Sequence, residues 1–582
     1  MRLRVVRRCA EAAEASARFP QLNPVLARAY AARGIGAAEE LRLGLDRLLP
    51  VGSLDGIGAA VELLLAHRRG GGLVLVIGDF DADGATSSAL IVRCLRAWGF
   101  PAVDFLVPNR FEFGYGLTPE IVALAARQQP ALIITVDNGI SSVPGVAAAR
   151  ALGIDVLVTD HHLAGPQLPA ANVIVNPNLP GANFGSRSLA GVGVAFYVMA
   201  ALHRALGDPA LPSPATWLDL VALGTVADIV PLDANNRVLV AQGLARIRAG
   251  RCTAGLRALL EVGKRTTDGV IAADLGFAAG PRVNAAGRLD DMSLGIRCLI
   301  TDSMPEALAL AGRLDALNKE RRAIEAKMQE QALAAVRHLD APEQLLRREG
   351  SGSRHGLCLY DADWHQGVVG IVAGRIKDRL RRPVIAFADA GEGQLRGSMR
   401  SVVGVHARDV LEAISTRKPG LLPKFGGHAM AAGLSLELSR LDEFAADFDA
   451  EVARWQAQGS LADCIETDGA LPPADLSLDT AEALRAGGPW GQAFPEPSFD
   501  QHFRVHGTRV LNDLHLKMWV EPEGTGRRFD AIAFNLLQGR PSLRAADGAL
   551  TLPERVHLVY RLDVNEWNGE RRLQLLVDHL LE

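Results

Sequence analysis

Acidic residues and histidines follow several apolar runs of this sequence, at spacings that suit metal chemistry. "GLVLVIGDFDADG" places Asp79, Asp81 and Asp83 at alternate positions after a predicted buried strand. "IITVDNG" ends a second apolar run at Asp137, and "VLVTDHH" ends a third at residues 160–162. Alternate residues of an extended segment face the same way, so we expect the first three aspartates to converge on one point. Carboxylates with one or two imidazoles suit Mn²⁺ or Mg²⁺.

A calcium-binding loop is the alternative explanation for residues 79–90. That loop requires a bidentate glutamate at its twelfth position, which is Leu90 here, and it should follow a helix and not a strand. N-caps and solvated loops explain any one acidic site well, but they explain poorly the coincidence of several, including Asp228 in "LGTVADIVPL". The spacing therefore favours a catalytic metal centre.

A regular alternation of strands and helices would position these side chains. From Gly72 onward the predicted strands are "LVLVIGD", "AVDFLVPN", "ALIITVDNG", "IDVLVTDHH" and "NVIVNP", separated by helical segments. Continuous apolar strands that alternate with helices indicate a parallel sheet covered on both faces. Ligands of such sheets bind at the carboxyl ends of the strands, where the acids and histidines lie.

The remaining sequence divides into recognisable parts. Ser303 and Glu306 have capping-box spacing before a helix of about 35 residues, on the order of 50 Å long. Strands near 357–360 and 384–388 begin a second α/β region, and about five short strands near the end predict a small β-barrel. We predict a helical segment at 1–70, a catalytic domain at 71–302, the connecting helix at 303–342, a second α/β domain at 343–455 and the barrel at 456–582.

Composition sets the broad class. The 582 residues predict about three or four domains, and the net charge of −4 argues neither for nor against a nucleic-acid partner. The six cysteines are scattered without a CxxC pair, which is typical of a reducing compartment. The basic start has no apolar signal region, and no apolar run approaches the roughly twenty residues of a membrane span. We expect a cytoplasmic protein without a membrane.

The motifs "GDFDADG", "DNGI" and "TDHH" resemble the signatures of the DHH phosphoesterase superfamily. Within it, the sequence resembles the RecJ family of single-strand-specific 5′→3′ DNA exonucleases. The motifs that carry this closer resemblance are "VPNRFEFGYGL", "LAGVGVAF", "ALGTVADIVPL", "GPRVNAAGRLD", "WHQGVVGIVAGR", "RGSMRS" and "FGGHAMAAG". The resemblance covers nearly the whole chain. It implies an α/β fold in which a long helix joins a parallel-sheet DHH domain to a DHH-associated domain, followed by an OB-type barrel.

The resemblance also implies two divalent ions, Mn²⁺ or Mg²⁺. The implied ligands are Asp79 and Asp81 for one ion, Asp83, His161 and Asp228 for the other, and Asp137 as a bridge. His162 would face the scissile phosphate, and Asp160 would orient the histidines. Among implied substrate contacts, Arg110 would meet a terminal 5′-phosphate with help from Ser398 and Arg400; the others are Arg282, Asn284, Arg288 and His428. Without the resemblance, Arg110 and the loops around Arg400 and His428 are equally typical of solvated surface.

The implied activity is hydrolysis of single-stranded DNA from the 5′ end to 5′-mononucleotides, in DNA repair and recombination. One alternative is a superfamily phosphoesterase acting on short oligonucleotides, cyclic dinucleotides or pyrophosphate; such enzymes usually carry a histidine at the position of Ile77 and lack the barrel. The other is a non-catalytic DNA-binding scaffold, which would have lost metal ligands.

The resemblance further suggests contact with single-strand binding protein, and we expect a monomer. Candidates for stacking on bases are Trp519, Phe529, Phe534 and Tyr560, although core packing is the favoured explanation for each.

One segment departs from the family pattern. The turn before the barrel usually reads Pro-Phe-Gly and then Gly-Asn-Pro, whereas this chain has "PWGQAFPEP" at 489–497. Ala493 and Phe494 replace the Gly-Asn pair. We expect this departure to affect the geometry of the turn and not the chemistry of the site.

Overall fold

A computed structural model describes residues 4–8, 12–108, 116–339, 355–458, 464–537, 543, 550–567 and 569–581. The chain forms two compact units. The catalytic-side unit comprises residues 5–287, 291–315 and 464–582, and the associated unit comprises residues 1–4, 288–290 and 316–463.

The N-terminal region is helical, as predicted, and also contains a strand that we did not predict. Strand β1 (Arg4–Arg7) is followed by α1 (Ala12–Arg18), α2 (Pro24–Ala31) and α3 (Ile57–Gly70), with 3₁₀ turns at Ala38–Leu41, Leu45–Arg47 and Val51–Ser53. β1 forms a two-stranded sheet with Cys464–Thr467. Its partner lies more than 450 residues away along the chain, so no local pattern could reveal the pairing.

The predicted parallel sheet is confirmed. Its strands are β2 (Leu73–Gly78), β3 (Ala102–Leu106), β4 (Pro130–Val136), β5 (Asp155–Thr159) and β6 (Val173–Val175), in the order β3-β2-β4-β5-β6. All neighbouring strands run parallel. The intervening helices are α4 (Ala82–Ala97), α5 (Pro119–Ala126) and α6 (Val143–Ala151). Side chains such as Ile77 and Ile133 are fully buried, because helices cover the sheet.

A helical layer follows the sheet. It contains α7 (Gly191–Leu206), α8 (Leu218–Ala227), α9 (Ala234–Arg248), α10 (Ala254–Val262), α11 (Ala272–Asp274), α12 (Gly280–Leu289) and α13 (Ser293–Ile300), with a π-helical turn at Leu275–Ala279 and a 3₁₀ turn at Pro214–Trp217. Helix α4 packs against α7, α8 and α13, so it is buried along nearly its whole length. Among described residues, no single helix has the length and apolar character of a membrane span; one bent pair, Leu45–Ser53 with Ile57–Gly70, has them by composition and length only.

The predicted long helix is α14 (Met304–Leu339), of 36 residues. The associated unit then contains β7 (Leu357–Tyr360), α15 (Val369–Leu380), β8 (Val384–Asp389), β9 (Gln394–Arg400), α16 (Ala407–Arg417), β10 (Lys424–Gly427), β11 (Ala431–Glu437), a 3₁₀ turn at Leu438–Arg440 and α17 (Leu441–Gln458). The sheet order is β10-β11-β9-β8-β7, and only β7 and β8 pair in parallel. Phe387, Phe444 and Phe448 are fully buried in its core.

The C-terminal region confirms the barrel. After β12 (Cys464–Thr467) and α18 (Leu478–Ala486) come β13 (Phe499–Leu511), β14 (His515–Pro522), β15 (Phe529–Ala533), β16 (Arg555–Trp567) and β17 (Glu570–Leu581), closed in the order β13-β14-β15-β17-β16. Tyr560 is fully buried, as core packing requires. Trp519 and Phe534 are 38% and 57% exposed, so core packing is the wrong explanation for these two.

The departure at 489–497 is accommodated by aromatic packing. Ala493 has φ of 59°, in the left-handed region that favours glycine. Phe494 is buried, and its ring stacks on Trp490 at 5.2 Å between centroids. The Arg237 guanidinium lies 4.3 Å from the centre of the same ring. The turn therefore keeps a glycine-type conformation without the glycine, and Phe494 fixes it.

Candidate metal centre

The three clustered aspartates lie at a strand-to-helix turn and not on one extended segment. β2 ends at Gly78, Asp79 follows in the loop, and Asp81 is the N-cap of α4. The Asp81 carboxylate accepts hydrogen bonds from the backbone amides of Asp83 (2.9 Å) and Gly84 (3.0 Å). Asp83 lies in the first turn of the helix. Our expectation that the alternation of a strand aligns these residues was therefore wrong, because the helix begins at Ala82.

Helix α7 meets this turn at its N-terminus. The backbone amides of Gly191 and Val192 donate to Asp83 Oδ2 and Oδ1, at 2.6 and 2.8 Å. These amides are among those that a helix leaves without intrahelical acceptors, and a carboxylate is favoured there. Asp83 is thus held at the helix end with one fixed orientation.

Asp137 follows β4 and occupies the centre of the cluster. It is buried and has φ of 60°, an uncommon conformation for a residue other than glycine. His161 Nε2 lies 3.0 Å from Asp137 Oδ1, 3.6 Å from Asp228 Oδ2 and 3.9 Å from Asp83 Oδ2. Asp228 is the C-cap of α8, so this carboxylate comes from the helical layer and not from the sheet.

Asp160 contacts both histidines of the pair. Asp160 Oδ1 accepts hydrogen bonds from the backbone amides of His161 (2.8 Å) and His162 (3.1 Å), and it lies 2.8 Å from His162 Nδ1. Its other oxygen accepts from the amide of Ile140 at 2.9 Å. Since a carboxylate accepts, the proton of the shared bond belongs on Nδ1 of His162.

The donor atoms form overlapping groups that suit metal ions. Asp79, Asp81 and Asp137 offer one set of oxygens within 4.8 Å of one another, and Asp83, His161 and Asp228 offer a second set at the same spacing. Asp137 also forms a third group with His161 and His162. The structure therefore brings together all six side chains that the resemblance proposed as ligands.

The buried carboxylates of the cluster repel one another, so the cluster requires compensating positive charge. Burial and the nearby Asp81 charge raise the pKa of Asp83 to about 7. Burial and neighbouring aspartates, Asp83 first among them, raise the pKa of Asp137 and that of Asp228 well above the usual range. Burial opposes charge on His162, but Asp160 outweighs it and raises the pKa of His162 to about 9. Cations would relieve this repulsion, and oxygen donors with one or two imidazoles suit Mn²⁺ or Mg²⁺.

Three other predicted residues lie on α12, with different surroundings. Asn284 Oδ1 accepts a hydrogen bond from the amide of Ala82 at 2.7 Å, so it supports the turn that carries Asp81. The Arg282 guanidinium contacts Asp315 (2.8 Å) and donates to the carbonyl of Ala278 (2.7 Å), which are structural contacts. Arg288 belongs to the associated unit, where its Nη1 donates to the carbonyl of Gly367 at 3.2 Å. Roles for these residues in the reaction stay predictions.

Ser398 and Arg400 form a small cluster of their own in the associated unit. Both lie on β9, and Arg400 Nη1 donates to Ser398 Oγ at 2.9 Å. A side chain at Gly370 of α15 would meet this pair, since its Cβ would lie 2.8 Å from Ser398 Oγ. His428 follows β10, is exposed, and donates its amide to the carbonyl of Ala431. Arg110 lies outside the described residues.

Three asparagines near the centre were not predicted. The side chain of Asn178 donates to the carbonyl of His161 at 2.6 Å, and that of Asn176 donates to the carbonyl of His162 at 2.9 Å. Asn138 Nδ2 donates to the carbonyls of Ile77 and Val136, which ties the ends of β2 and β4 together. The available signal was the placement of polar residues directly after buried strands, as in "NPN" and "DNG".

Comparisons with known proteins agree with this arrangement. Models of the DHH family N-terminal domain, the DHHA1 domain and the RecJ OB domain match residues 73–225, 354–454 and 467–579. The chain is 50% identical, over 96% of both sequences, to the single-stranded-DNA-specific exonuclease RecJ of Escherichia coli strain K12. The chain belongs to the RecJ family.

Solved RecJ structures extend the likeness to the fold. RecJ from Thermus thermophilus in complex with Mn²⁺ matches this chain with a TM-score of 0.80 at 32% identity, covering 100% of this chain and 79% of that one. The Mg²⁺ complex of the same RecJ matches with a TM-score of 0.75 at 30% identity, covering 100% of this chain and 78% of that one. The expected fold, with DHH, DHH-associated and OB domains, is confirmed for this RecJ family member.

Proposed function

We propose that this chain is a metal-dependent exonuclease that hydrolyses single-stranded DNA from the 5′ end to 5′-mononucleotides. The observation that carries the proposal is the convergence of Asp79, Asp81, Asp83, Asp137, His161 and Asp228 on one small volume. The relatives that share 48–51% identity with this chain are named as single-stranded-DNA-specific exonucleases. Mn²⁺ or Mg²⁺ is the cofactor, in keeping with the donor set and with the metal-bound relatives.

We assign the residues as follows. Asp79 and Asp81 would hold one ion, Asp83, His161 and Asp228 would hold the other, and Asp137 would contribute to both. When bound, the two cations neutralise charge on the phosphate and lower the pKa of the attacking water. Asp160 holds His162 through the 2.8 Å contact with Nδ1, which presents the rest of the imidazole to a non-bridging oxygen of the scissile phosphate.

The preference for a single strand with a 5′ end needs further contacts. On the barrel, Trp519 and Phe534 are partly exposed aromatic side chains that can stack on bases, and Lys517 Nζ lies 5.7 Å from the Trp519 ring centre. In the associated unit, Ser398 and Arg400 offer a hydroxyl and a guanidinium for a terminal phosphate. We also propose that the protein is cytoplasmic, acts as a monomer and contacts single-strand binding protein. Sedimentation tests the monomeric state, and co-purification tests the contact.

The test of the activity uses 5′-labelled single-stranded DNA with Mn²⁺ or Mg²⁺, and a blunt duplex of the same sequence as the control substrate. We expect labelled mononucleotide from the single-stranded substrate but not from the duplex. With a chelator, we expect no product from either substrate. Asp137→Ala should abolish hydrolysis, since the bridging carboxylate serves both ions. A variant that kept a tenth or more of the turnover at saturating Mn²⁺ would contradict the bridging role, and release of dinucleotides or longer products alone would contradict the proposed reaction.

A further inference from the structure

A second polar pocket lies in the catalytic-side unit, away from the carboxylate cluster. Its volume is about 360 Å³, and four arginines line it: Arg93, Arg246, Arg251 and Arg257. Arg93 lies on α4, ten residues beyond Asp83, which is a rise of about 15 Å along the helix. Trp217, also in the wall, precedes α8, whose opposite end carries Asp228. The pocket is therefore at the far ends of the two helices that bring aspartates to the metal centre.

The arginines of this pocket exceed the acids that could balance them. Arg93 pairs with the largely exposed Asp302 at 2.7 Å. Arg246, Arg251 and Arg257 have no ion pair among the residues that the structure describes. Arg246 Nε is buried there without a hydrogen-bond acceptor. Burial and the neighbouring Arg251 charge lower the pKa of Arg246, although buried Asp219 opposes the shift. The pocket thus holds positive charge that an anion would stabilise.

Helix N-termini at this pocket add to its positive electrostatic potential. Helices α8, α10 and α14 all begin at this pocket, with Trp217, Ala254 and Met304 in its wall. The N-caps of α8 and α10 make no side-chain capping bond. The N-terminus of a helix carries partial positive charge from amides without intrahelical acceptors, so the two uncapped ends favour an anion beside the guanidinium groups.

We propose that this pocket binds the phosphate group of a mononucleotide. The planar fork of arginine matches phosphate oxygens, and a pocket of this volume is within the range that accepts small ligands. Trp217 and Met304 supply an apolar wall for the nucleoside part. The phosphate preference follows from the pocket itself, whereas the choice of a mononucleotide rests on the proposed function, which produces 5′-mononucleotides.

The experiment is calorimetric titration of the full-length protein with dAMP in the presence of EDTA, which keeps divalent ions out of the metal centre. Deoxyadenosine is the matched ligand, since it lacks only the phosphate. The double variant Arg251→Gln/Arg257→Gln removes two exposed guanidinium groups from the pocket, so it should fold normally, as circular dichroism would check. Arg127→Gln, at an exposed arginine after α5, is the matched control.

We expect dAMP to bind, deoxyadenosine not to bind, and the double variant to bind dAMP about tenfold or more weakly, with the control unchanged. Absence of dAMP binding at millimolar concentration, or equal affinity in all three proteins, would overturn the proposal. Loss of oligothymidylate binding in the double variant with dAMP affinity unchanged would overturn the mononucleotide assignment in favour of a DNA strand. The titration in EDTA does not depend on nuclease activity. If dAMP binds but the protein proves inactive on DNA, the proposed function is contradicted and the phosphate pocket is not.

Discussion

The backbone amide of Gly191 donates a hydrogen bond to Asp83 Oδ2 at 2.6 Å, so the N-terminus of α7 holds a carboxylate of the metal centre. The same glycine lies against a second carboxylate residue. A Cβ at position 191 would lie 2.7 Å from Asp137 Cβ and 3.0 Å from its Cα. The close approach of α7 to the centre therefore requires a residue without a side chain.

Gly191→Ala should displace Asp137 and weaken metal binding, because the backbone at Asp137 cannot move as a flexible side chain would. We expect Mn²⁺ affinity and hydrolysis to fall by about tenfold or more, as for other changes that misplace ligands. Titration with Mn²⁺ and turnover on single-stranded DNA measure this. Gly193→Ala is the control on the same helix, since its Cβ would meet the movable Leu189 side chain. Equal effects of the two substitutions would contradict the requirement.

Asp160→Asn should reduce turnover about 10–100-fold while the protein still binds Mn²⁺. An amide cannot accept the Nδ1 proton of His162 as strongly as a carboxylate, so the imidazole loses its fixed orientation. Asp155→Asn, at the opposite end of β5, should leave turnover unchanged. If Asp160→Asn removed Mn²⁺ binding altogether, Asp160 would have to be a ligand and not a positioning residue.

Arg400→Gln should diminish the preference for 5′-phosphorylated over 5′-hydroxyl single strands. Loss of a charge-assisted hydrogen bond costs about 1.5–3 kcal/mol, which is roughly a ten- to hundredfold change in kcat/KM for the phosphorylated substrate. Arg396→Gln is the control on the same strand, at an exposed position. An undiminished phosphate preference in Arg400→Gln would exclude this residue from recognition of the 5′ end.

Ala493→Gly should stabilise the turn before the barrel. Relief of the left-handed conformation at Ala493 contributes about 1–2 kcal/mol, and the greater freedom of glycine in the unfolded chain offsets about half of it. We expect a gain of about 0.5–1 kcal/mol in the unfolding transition that includes the barrel. Ala483→Gly, inside α18, should have the opposite sign. A decrease in stability for Ala493→Gly would mean that the turn is not strained.

Asp500 should make the pairing of the N-terminal strand with the barrel region sensitive to acid. Its buried carboxylate accepts hydrogen bonds from Arg7 (2.8 Å) and Thr467 (2.5 Å) and contacts His557 (3.1 Å). Burial opposes the charge, but these contacts outweigh it and lower the pKa of Asp500 below its usual value. The stabilisation is therefore complete above about pH 4, the pKa of an unfolded aspartate, and is lost as pH falls through the folded pKa.

Asp500→Asn should lower the free energy of unfolding at pH 7 by about 1–3 kcal/mol, and the deficit should shrink as pH falls below about 4. Thermal unfolding of both proteins across this range measures the difference. Asp563→Asn, at a half-buried aspartate of β16 that has no ion pair within the described part of the chain, is the control. A deficit at pH 7 that stays constant down to pH 3 would contradict the assignment.

The parallel sheet could be predicted because its information is local. Continuous apolar strands such as β4 need only their own residues and the turn that follows to be recognised, and their carboxyl ends must meet at one edge. Asp137 and His161 were therefore expected together before any contact was known. Strand patterns also predicted the second α/β region and the barrel, and the ordered motifs added the ligand role of Asp228.

Contacts between segments that are distant along the chain determine how the site residues are held. Asp83 is held by the amides of Gly191 and Val192, more than a hundred residues away, and the histidines are held by Asn176 and Asn178. Helix α4 begins at Ala82, so the three aspartates do not lie on one extended segment. The Asp81 side chain accepts hydrogen bonds from two amides of the first turn and therefore caps the helix.

The sequence by itself therefore determined which chemical groups this protein presents at its site, because residue types and strand ends are local properties. Only the tertiary structure decided how those groups share ligand atoms, which backbone amides hold them, and that four arginines gather at the far ends of α4 and α8. The physical reason is that hydrogen bonds and charge act over a few ångströms in space, whatever the separation along the chain.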